Sequence, residues 1–500
     1  MSFLKPFFLS VALVWPVCHE SFALQNPTEK SPPNILFIAI DDLRPELGAY
    51  GADYVHSPNL DRLAQQSSLF HNHFVTVPTC GASRYNLLVG KLPQSTVEVG
   101  NMAAAQLISK KAEGERPVTF LERLRGNGYY TVGVGKISHH PDGYVYDYLE
   151  PKSDQIELPG SWDEMLFDAG KWGTAHNAFF GYADGSNRNT LKGQVKPYEA
   201  ADVTDEGYPD GLTANLAIEK MKDLKEKGQP FFLGVGFFKP HLPFTAPKKY
   251  WDLYEESEIP LAPFAGIPES SSKASLLASG EFNQYALGEE KASLDAAMSD
   301  AYSRKVRHAY LAAVSYVDAQ VGKVLDELEK QGLAENTIVV VWGDHGWHLG
   351  DQLVWGKHTL FDRALQSVLM IRRPGKSGEQ ITQIVSTTDI YPTILEFAGL
   401  PEEAGLDGES LVALMDEPQL PTWRNYAYSY YNRGVSLRTA QYRLTEYLRK
   451  EGKIIELYDF NKDPYQSKNV AGDQPQKVEQ LMNLLEKGNT GLYQKEAGDK

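Results

Sequence analysis

Four short and nearly continuous apolar segments constrain the fold of this chain more than any other feature. They occupy residues 35–40, 130–134, 231–238 and 338–342. Apolar runs of this length are typical of strands that are buried on both faces of a parallel sheet. Because segments with helical periodicity lie between them, the pattern predicts an α/β fold in which helices cover both sides of a large sheet.

The segments between the predicted strands include one long helix and one irregular excursion. Residues 301–331 carry apolar side chains at helical spacing and are expected to cover one face of the sheet. His308 lies on this helix, where we interpret it as a packing or surface residue rather than a ligand. Residues 255–300 are rich in Ser, Ala and Gly, and are predicted to run over the surface and to border the cleft.

The C-terminal part of the chain has a different pattern. Residues 416–421 have the composition of a linker. Beyond them lie three segments that alternate like antiparallel strands and one amphipathic helical segment, at residues 426–430, 434–439, 442–447 and 476–487. We therefore predict a main domain at residues 24–415 and a smaller C-terminal α+β subdomain with an antiparallel sheet at residues 416–500.

Residues 1–23 have the organisation of a secretory signal peptide. Lys5 precedes an apolar run at residues 7–17, and Ser21-Phe22-Ala23 fits a cleavage site with small residues at both ends. Cys18 is not expected to carry a lipid, because Trp15-Pro16-Val17 lacks the small residues of a lipoprotein motif. No later apolar run is long enough for a membrane helix, so we expect export without membrane insertion.

The cysteine content indicates the cellular compartment of the protein, and the net charge indicates which binding partners are excluded. After the signal peptide only Cys80 is left, so no intramolecular disulfide can form, and Asn26 is followed by Pro27, so no Asn-x-Ser/Thr acceptor exists. These features favour a bacterial periplasmic or secreted enzyme over a lysosomal one. The net charge of −16 argues against a nucleic-acid partner. An anionic substrate must therefore be bound by locally concentrated cations.

Polar residues follow each predicted strand, where ligands bind in open α/β sheets. They are Asp41-Asp42, Lys136 with His139, Lys239 with His241, and Asp344-His345. Asp41, Asp42 and Asp344 would repel one another without a cation, and their oxygens suit Ca²⁺ or Mg²⁺ better than zinc. Taken alone, Asp41-Asp42 is also explained as a turn or a helix cap. By itself, His345 is better explained as a structural residue than as a Ca²⁺ ligand, since calcium prefers oxygen.

The basic residues that follow the strands, together with Lys357, supply positive charge and protons. An anionic ester needs both before a nucleophile can approach it. Each lysine, taken alone, is also explained by an exposed salt bridge or by solvation.

Cys80 opens the pentapeptide Cys80-Gly81-Ala82-Ser83-Arg84, which precedes a predicted helix at residues 83–89. A lone cysteine is usually a small buried hydrophobic residue. The pentapeptide, however, resembles the C-x-[PA]-x-R maturation motif of sulfatases, in which the cysteine is oxidised to formylglycine by a dedicated enzyme. The free N–H groups at the start of the predicted helix would also point towards an anion.

Further segments extend the resemblance over nearly the whole mature chain. Residues 33–44 and 57–64 resemble the opening of the type I sulfatases. The chain is similar to the iduronate-2-sulfatase group in Gly135-Lys136-x-x-His139, Lys239-Pro240-His241-x-Pro243-Phe244, Gly343-Asp344-His345-Gly346-Trp347, Lys357 and Gly434-x-Ser436-x-Arg438-Thr439-x-x-Tyr442-Arg443. Two departures are Ala82, where eukaryotic members have Pro, and residues 156–207, which do not align.

The resemblance implies an alkaline-phosphatase-like α/β sandwich with a large mixed or parallel sheet flanked by helices. The implied Ca²⁺ ligands are Asp41, Asp42, the formylglycine derived from Cys80, Asp344 and His345. The implied catalytic and sulfate-binding residues are Cys80, Arg84, Lys136, His139, His241 and Lys357. The implied partners are a sulfated carbohydrate substrate and a formylglycine-generating enzyme.

The resemblance also implies a mechanism and a substrate class. The hydrated formylglycine attacks sulfur, His241 or its rival Lys357 protonates the leaving oxygen, and His139 assists the release of sulfate. The expected substrate is a sulfated polysaccharide or its oligosaccharides, such as a glycosaminoglycan or an algal glycan like ulvan. If the sugar is a uronate, Arg438 or Arg433 is the candidate that binds its carboxylate.

Two alternatives to a sulfatase are considered. The first is a phosphoester or phosphonate hydrolase of the same superfamily, which the sequence does not separate from a sulfatase. The second is an inactive sulfatase-like binding protein, which would keep the fold and lose site residues. Every matched position is filled, and this argues against the second.

Overall fold

The structure is a computed structural model that describes residues 1–4, 32–450 and 452–494. The chain separates into the units Met1–Ser31 and Pro32–Lys500, and every described helix and strand belongs to the second unit. The predicted signal peptide, apart from its first four residues, lies outside the described residues. Among the described helices, none is both long and apolar enough to cross a membrane.

The elements are numbered in chain order. The α-helices are α1 (Pro58–Ala64), α2 (Cys80–Val89), α3 (Phe120–Gly126), α4 (Ala175–Phe179), α5 (Pro209–Lys227), α6 (Lys248–Trp251), α7 (Gly280–Asn283), α8 (Asp300–Lys330), α9 (Asp362–Leu365), α10 (Ile390–Phe397), α11 (Val412–Asp416) and α12 (Pro475–Gly488). The strands are β1 (Asn34–Ile40), β2 (Ser68–Phe74), β3 (Tyr130–Gly135), β4 (Glu164–Leu166), β5 (Tyr198–Ala201), β6 (Phe231–Phe237), β7 (Phe244–Pro247), β8 (Thr337–Gly343), β9 (His348–Leu349), β10 (Trp355–Gly356), β11 (Gln366–Ser367), β12 (Leu369–Arg372), β13 (Glu379–Ser386), β14 (Tyr426–Tyr431), β15 (Gly434–Thr439), β16 (Tyr442–Arg449) and β17 (Gly452–Asp459).

The described residues form one large mixed sheet of nine strands in the order β11-β2-β12-β8-β1-β6-β3-β4, with β13 paired to β2. The four strands that the sequence predicts are the neighbours β8, β1, β6 and β3, and all of them are parallel. Strand β12 runs antiparallel to both of its neighbours. The predicted mixed or parallel sheet is therefore confirmed.

Helices cover both faces of this sheet, which explains why the strands lack polar alternation. In β1, Leu36, Ile38 and Ile40 pack in the core that contains α5 and α8. The intervening residues Ile35, Phe37 and Ala39 pack in the core that contains α2, α3 and α10. Every residue of β1 is buried, as expected for a central parallel strand. The long helix predicted at residues 301–331 is α8.

The C-terminal residues form a four-stranded antiparallel sheet, β14-β15-β16-β17, against which α12 packs. The first three strands match the prediction, whereas β17 was missed because its first half is exposed or half-buried and shows no alternation. Val77 and Ala82 share the core of this sheet, and Ser429 Oγ donates a hydrogen bond to Val75 O. The C-terminal sheet thus supports the start of α2. The domain boundary at residue 416 stays a prediction.

Gly81 provides a test of how tightly α2 is seated. A Cβ at this position would lie 2.1 Å from the Asn101 carbonyl oxygen. Because this oxygen belongs to the backbone, it cannot move away as the end of a flexible side chain can. We expect Gly81→Ala to lower the free energy of unfolding by about 1–3 kcal/mol through overpacking. The matched control is Gly126→Ala at the end of α3, where nothing lies within 4 Å and the better helix former should stabilise the protein. Equal effects in denaturant unfolding would contradict this packing.

Candidate active site

The polar residues predicted to converge do so at the carboxyl ends of the central strands. Asp41 and Asp42 follow β1, Asp344 and His345 follow β8, and Lys136 follows β3. These strands are parallel neighbours with β6 between β1 and β3, so their carboxyl ends share one edge of the sheet. Asp42 adopts a positive φ of 60°, and its N–H donates to Asp344 Oδ1 at 2.9 Å.

The acidic residues form a buried cluster with Cys80. Single ligand atoms of Asp41, Cys80, Asp344 and His345 all lie within 4.8 Å of one another, and Cys80 is the most exposed of the four at 4%. The Nδ1–H of His345 donates to Gly346 O at 2.9 Å, which leaves the Nε2 lone pair directed at the cluster, 3.3 Å from Asp42 Oδ1. This set of carboxylate oxygens with one imidazole nitrogen fits a hard divalent cation better than a thiophilic one.

Three cations compensate the charge of the carboxylates. Arg84 Nε donates to Asp344 Oδ2 at 2.9 Å, Lys136 Nζ lies 2.5 Å from Asp41 Oδ2, and Lys357 Nζ lies 2.9 Å from Asp42 Oδ1. Arg84 also donates to the carbonyl oxygens of Lys136 and Ile137, which ties α2 to the loop after β3.

The surroundings shift the pKa values of Asp344 and Asp41 in opposite directions. Burial raises the pKa of Asp344 to about 7, and the neighbouring Asp41 carboxylate contributes to the rise. Burial also opposes ionisation of Asp41, but Lys136 and Arg84 outweigh it and hold the pKa of Asp41 well below its usual range. Burial lowers the pKa of His345 to about 4, so the ring is neutral as a metal ligand must be.

Cys80 lies in the first turn of α2 rather than in a loop before it. The prediction started this helix at residue 83, whereas it starts at Cys80. Cys80 Sγ lies 3.2 Å from His345 Nε2 and 3.2 Å from Lys357 Nζ. The sequence predicts that the N–H groups at the start of this helix are free to bind an anion. The N–H of Gly81 is not free, because it donates to Asn101 Oδ1 at 3.0 Å. Burial, with a contribution from Asp41, raises the pKa of the Cys80 thiol well above its usual range.

A cavity of about 360 Å³ opens above Cys80. Of the predicted site residues, those that line it are Cys80, Lys136, His139, His241 and Lys357. Burial lowers the pKa of His139 well below its usual range, and the Lys136 ammonium lowers it further. His139 Nδ1 has no hydrogen-bond partner in the described chain. The ring is therefore neutral, and burial together with the Lys136 charge opposes its protonation as long as no anion occupies the cavity.

The loop that carries His139 is fixed by Glu157. Ser138 Oγ donates to Glu157 Oε2 at 2.5 Å, and the N–H of His140 donates to the same oxygen at 3.1 Å. The His140 ring also forms an ion pair with Glu157 at 2.9 Å. Glu157 lies in the segment that could not be aligned, so no sequence signal identified it.

His241 meets an oxygen at each ring nitrogen. Nδ1 lies 2.5 Å from Leu242 O, and Nε2 lies 3.1 Å from Glu281 Oε1. These two contacts fix the orientation of the His241 ring, which lines the cavity. Lys239, which also follows β6, donates to the carbonyl oxygens of His241 and Pro243 at 2.9 Å and 2.6 Å and thereby holds this loop.

The sequence did not identify several cavity residues, because they lie on loops or in the short helices α4 and α7, which carry no motif. They are Asn101, Tyr148, Phe179, Phe180, Arg188, Glu281 and His358. Glu281 belongs to α7 in the excursion at residues 255–300, which does border the cleft. The predicted position of that excursion beside the cleft was the one sequence signal that pointed to Glu281.

The two arginines proposed as substrate contacts are not among the cavity-lining residues. Arg438 is 6% exposed and its Nε donates to Asp362 Oδ2 at 3.0 Å. The same carboxylate also pairs with Arg443 at 2.5 Å, so two guanidinium groups share it, and the role of Arg438 in substrate binding stays a prediction. Arg433 is exposed in the turn between β14 and β15. Tyr431 in the same hairpin stacks on the cavity residue His358 at 5.4 Å between ring centroids, so Arg433 stays a candidate for contact with a longer substrate.

Comparisons with known proteins agree with this arrangement. Residues 33–400 match the Sulfatase family, and residues 343–492 match the C-terminal region of N-sulphoglucosamine sulphohydrolase. The chain is 30% identical to iduronate 2-sulfatase of Mus musculus over 90% of this chain and 93% of the relative. It is 31% identical to a sulfatase of Formosa agariphila over 97% and 92% of the two chains.

A solved structure has the same fold. The phosphonate monoester hydrolase of Agrobacterium radiobacter gives a TM-score of 0.71 at 24% identity, over 91% of this chain and 96% of that chain. The structural match shows the alkaline-phosphatase-like fold, and the family match over residues 33–400 shows the chemistry. The chain belongs to the sulfatase family and is a sulfuric ester hydrolase.

Proposed function

We propose that the protein is an exported, calcium-dependent sulfatase that removes sulfate from a sulfated polysaccharide or its oligosaccharides. The observation that carries this proposal is the position of Cys80, whose Sγ lies between His345 of the acidic cluster and Lys357 of the cavity, 3.2 Å from each. Iduronate 2-sulfatase and an ulvan-active sulfatase among the relatives support a sugar substrate of the glycosaminoglycan or algal type. The signal sequence at residues 1–23 supports bacterial periplasmic or secreted localisation.

Position 80 would hold the nucleophile after conversion by a sulfatase-maturating enzyme. Formylglycine would supply a hydrated aldehyde, and hence an oxygen nucleophile, where Cys80 places its Sγ. Arg84 would hold this group, because its guanidinium is itself fixed by Asp344 and by two carbonyl oxygens of the neighbouring loop.

The acidic cluster would hold the calcium ion. Its proposed ligands are Asp41, Asp42, Asp344, His345 and the residue at position 80. Calcium bound there would supply Lewis-acid stabilisation of the charge on the sulfate oxygens.

The remaining cavity residues would bind the ester and transfer protons. Lys136 and Lys357 present ammonium groups to an anion in the cavity. His241 would protonate the leaving oxygen from Nε2, because its ring lines the cavity and is held in place by Leu242 O and Glu281. Lys357 lies 3.2 Å from Cys80 Sγ, where the nucleophile would form, and 2.9 Å from Asp42 Oδ1, which favours a charge-stabilising role over that of the acid. His139, which is neutral, would accept a proton when sulfate is released.

A phosphonate or phosphoester hydrolase is the second candidate. The structural likeness to the phosphonate monoester hydrolase of Agrobacterium radiobacter favours it on the fold alone. Assays on matched sulfate, phosphate and phosphonate esters of one alcohol separate the two. A higher kcat/KM on the sulfate ester supports the sulfatase, and a higher value on either phosphorus ester would overturn it.

The first prediction concerns maturation of Cys80. Mass spectrometry of active protein should show formylglycine in the tryptic peptide of residues 63–84. Activity should rise with the fraction of aldehyde when the protein is produced with and without a maturating enzyme. Cys80→Ser should be inert in a host without serine-type maturation. Full activity with only unmodified cysteine would contradict the mechanism.

The second prediction concerns the metal. We expect one calcium ion per chain, and activity that is lost on chelation and restored by calcium. Asp42→Asn, which keeps shape but removes charge, should weaken calcium binding measured by calorimetry by at least about 10- to 100-fold. The control is Asp318→Asn, a buried carboxylate that accepts from the N–H groups of Asn59 and Leu60 outside the cluster. Stoichiometric zinc in active protein would exclude the calcium assignment.

The third prediction separates His241 from Lys357. His241→Ala should slow sulfated sugars, which have poor leaving groups, by about 10²–10⁴-fold more than activated aryl sulfates. His308→Ala serves as the control, because His308 contacts Trp251 O and Glu256 rather than the cavity. Equal losses on both substrates in His241→Ala would transfer the role of general acid to Lys357.

A further inference from the structure

Arg188 differs from every other buried arginine of the described residues because it has no carboxylate partner. It is 8% exposed, and no described Asp or Glu oxygen lies within 4.0 Å of its side chain. The other buried arginines each have an Asp or Glu oxygen within 3.3 Å, and they are Arg44, Arg84, Arg307, Arg372, Arg438 and Arg443. A buried charge without a partner is costly, so this position calls for an explanation.

The contacts of Arg188 desolvate the guanidinium without neutralising it. Its Cζ lies 3.7 Å from the ring centroid of Phe180 and 5.5 Å from that of Tyr285. Its Nη2 donates a long hydrogen bond of 3.4 Å to Asn189 Oδ1. Stacking on aromatic faces fixes a cation, but it leaves most of the five N–H donors of arginine available.

Arg188 lines the same cavity as Cys80, beside the proposed sulfate position. The Phe179 and Phe180 rings lie 4.7 Å apart. Lys136 Nζ lies 4.1 Å from the Phe179 ring, whereas Arg188 lies over the Phe180 ring. The phenylalanine pair therefore separates two cations along one wall. The charged cavity residues also include Glu281, but this carboxylate pairs with His241 and Lys357.

We propose that Arg188 binds a second anionic group of the substrate, distinct from the sulfate that is cleaved. A sugar carboxylate is the best match, because a planar guanidinium engages a carboxylate through two parallel hydrogen bonds. A second sulfate would offer the same oxyanion chemistry. The assignment rests on the proposed function, and it gives Arg188 the role for which the sequence offered Arg438 or Arg433.

The test compares substrates that differ in one group. The wild-type enzyme and Arg188→Gln are assayed on an O-sulfated uronide, on the same sugar with its carboxylate reduced to an alcohol, and on a disulfated neutral sugar. Loss of a charge-assisted contact should lower kcat/KM for the uronide by about 10- to 100-fold relative to the reduced sugar. Arg188→Lys should recover part of this ratio, and Arg372→Gln should leave it unchanged.

Each outcome of this assay decides the proposal. A selective loss on the uronide supports a carboxylate site, and a selective loss on the disulfated sugar supports an anion site that takes sulfate. Equal losses on all three substrates, or no loss, would overturn the proposal. A structural role would also lower the Tm of ligand-free Arg188→Gln substantially, whereas we expect a small decrease at most, because only the aromatic contacts with Phe180 and Tyr285 are lost and no ion pair is broken.

A binding experiment keeps this proposal separate from the proposed activity. Two inactive proteins, Cys80→Ala and the double variant Cys80→Ala with Arg188→Gln, are each titrated with the uronide and with its reduced form. Calcium is present in every titration. We expect Arg188→Gln to weaken binding of the uronide alone. If the wild-type enzyme hydrolyses no sulfate ester, the proposed function fails, yet the titration still decides whether Arg188 binds an anion. Equal affinity for both sugars in Cys80→Ala, together with no preference for the disulfated sugar, would refute the anion site.

Discussion

The balance between three buried carboxylates and three buried cations governs the structure of this site. Asp41, Asp42 and Asp344 are all 0% exposed, and each is paired to a lysine or an arginine. Removal of one partner from such a pair typically costs about 3–5 kcal/mol, because the other charge stays buried alone. With the carboxylates already balanced, a divalent cation would make the site positive. This explains how a chain of net charge −16 can bind an anionic ester.

The balance between the buried carboxylates and cations depends on elements that are distant in sequence. Arg84 reaches the cluster from α2, which is seated by Asn101 at Gly81 and by the C-terminal sheet at Ala82. Lys357 reaches it from the connection after β10. The C-terminal sheet therefore contributes to the chemistry by fixing α2, and Arg438, its predicted substrate contact, is paired with Asp362.

Substrate selectivity is expected to depend on the walls of the cavity rather than on the acidic cluster. The cluster lies at the ends of rigid parallel strands, whereas the cavity walls come from loops around Tyr148, Phe180 and Arg188 and from the short helix α7, which carries Glu281. Loops on a fixed scaffold can change without loss of the core, so a conserved reaction can be combined with variable substrates. The guanidinium of Arg188, which has no carboxylate partner among the described residues, is presented by one of these loops.

The sequence by itself determined the central strands, the long helix α8, and the identity of the residues at the strand ends. It could do so because buried parallel strands lack polar alternation and because the carboxyl ends of such strands meet at one edge. Only the tertiary structure decided that Glu281 contacts His241, that Cys80 lies within α2, and that Arg188 rather than Arg438 faces the cavity. These facts depend on packing between segments far apart in the chain, and a charged residue carries no local signal of whether it meets a partner or is left without one.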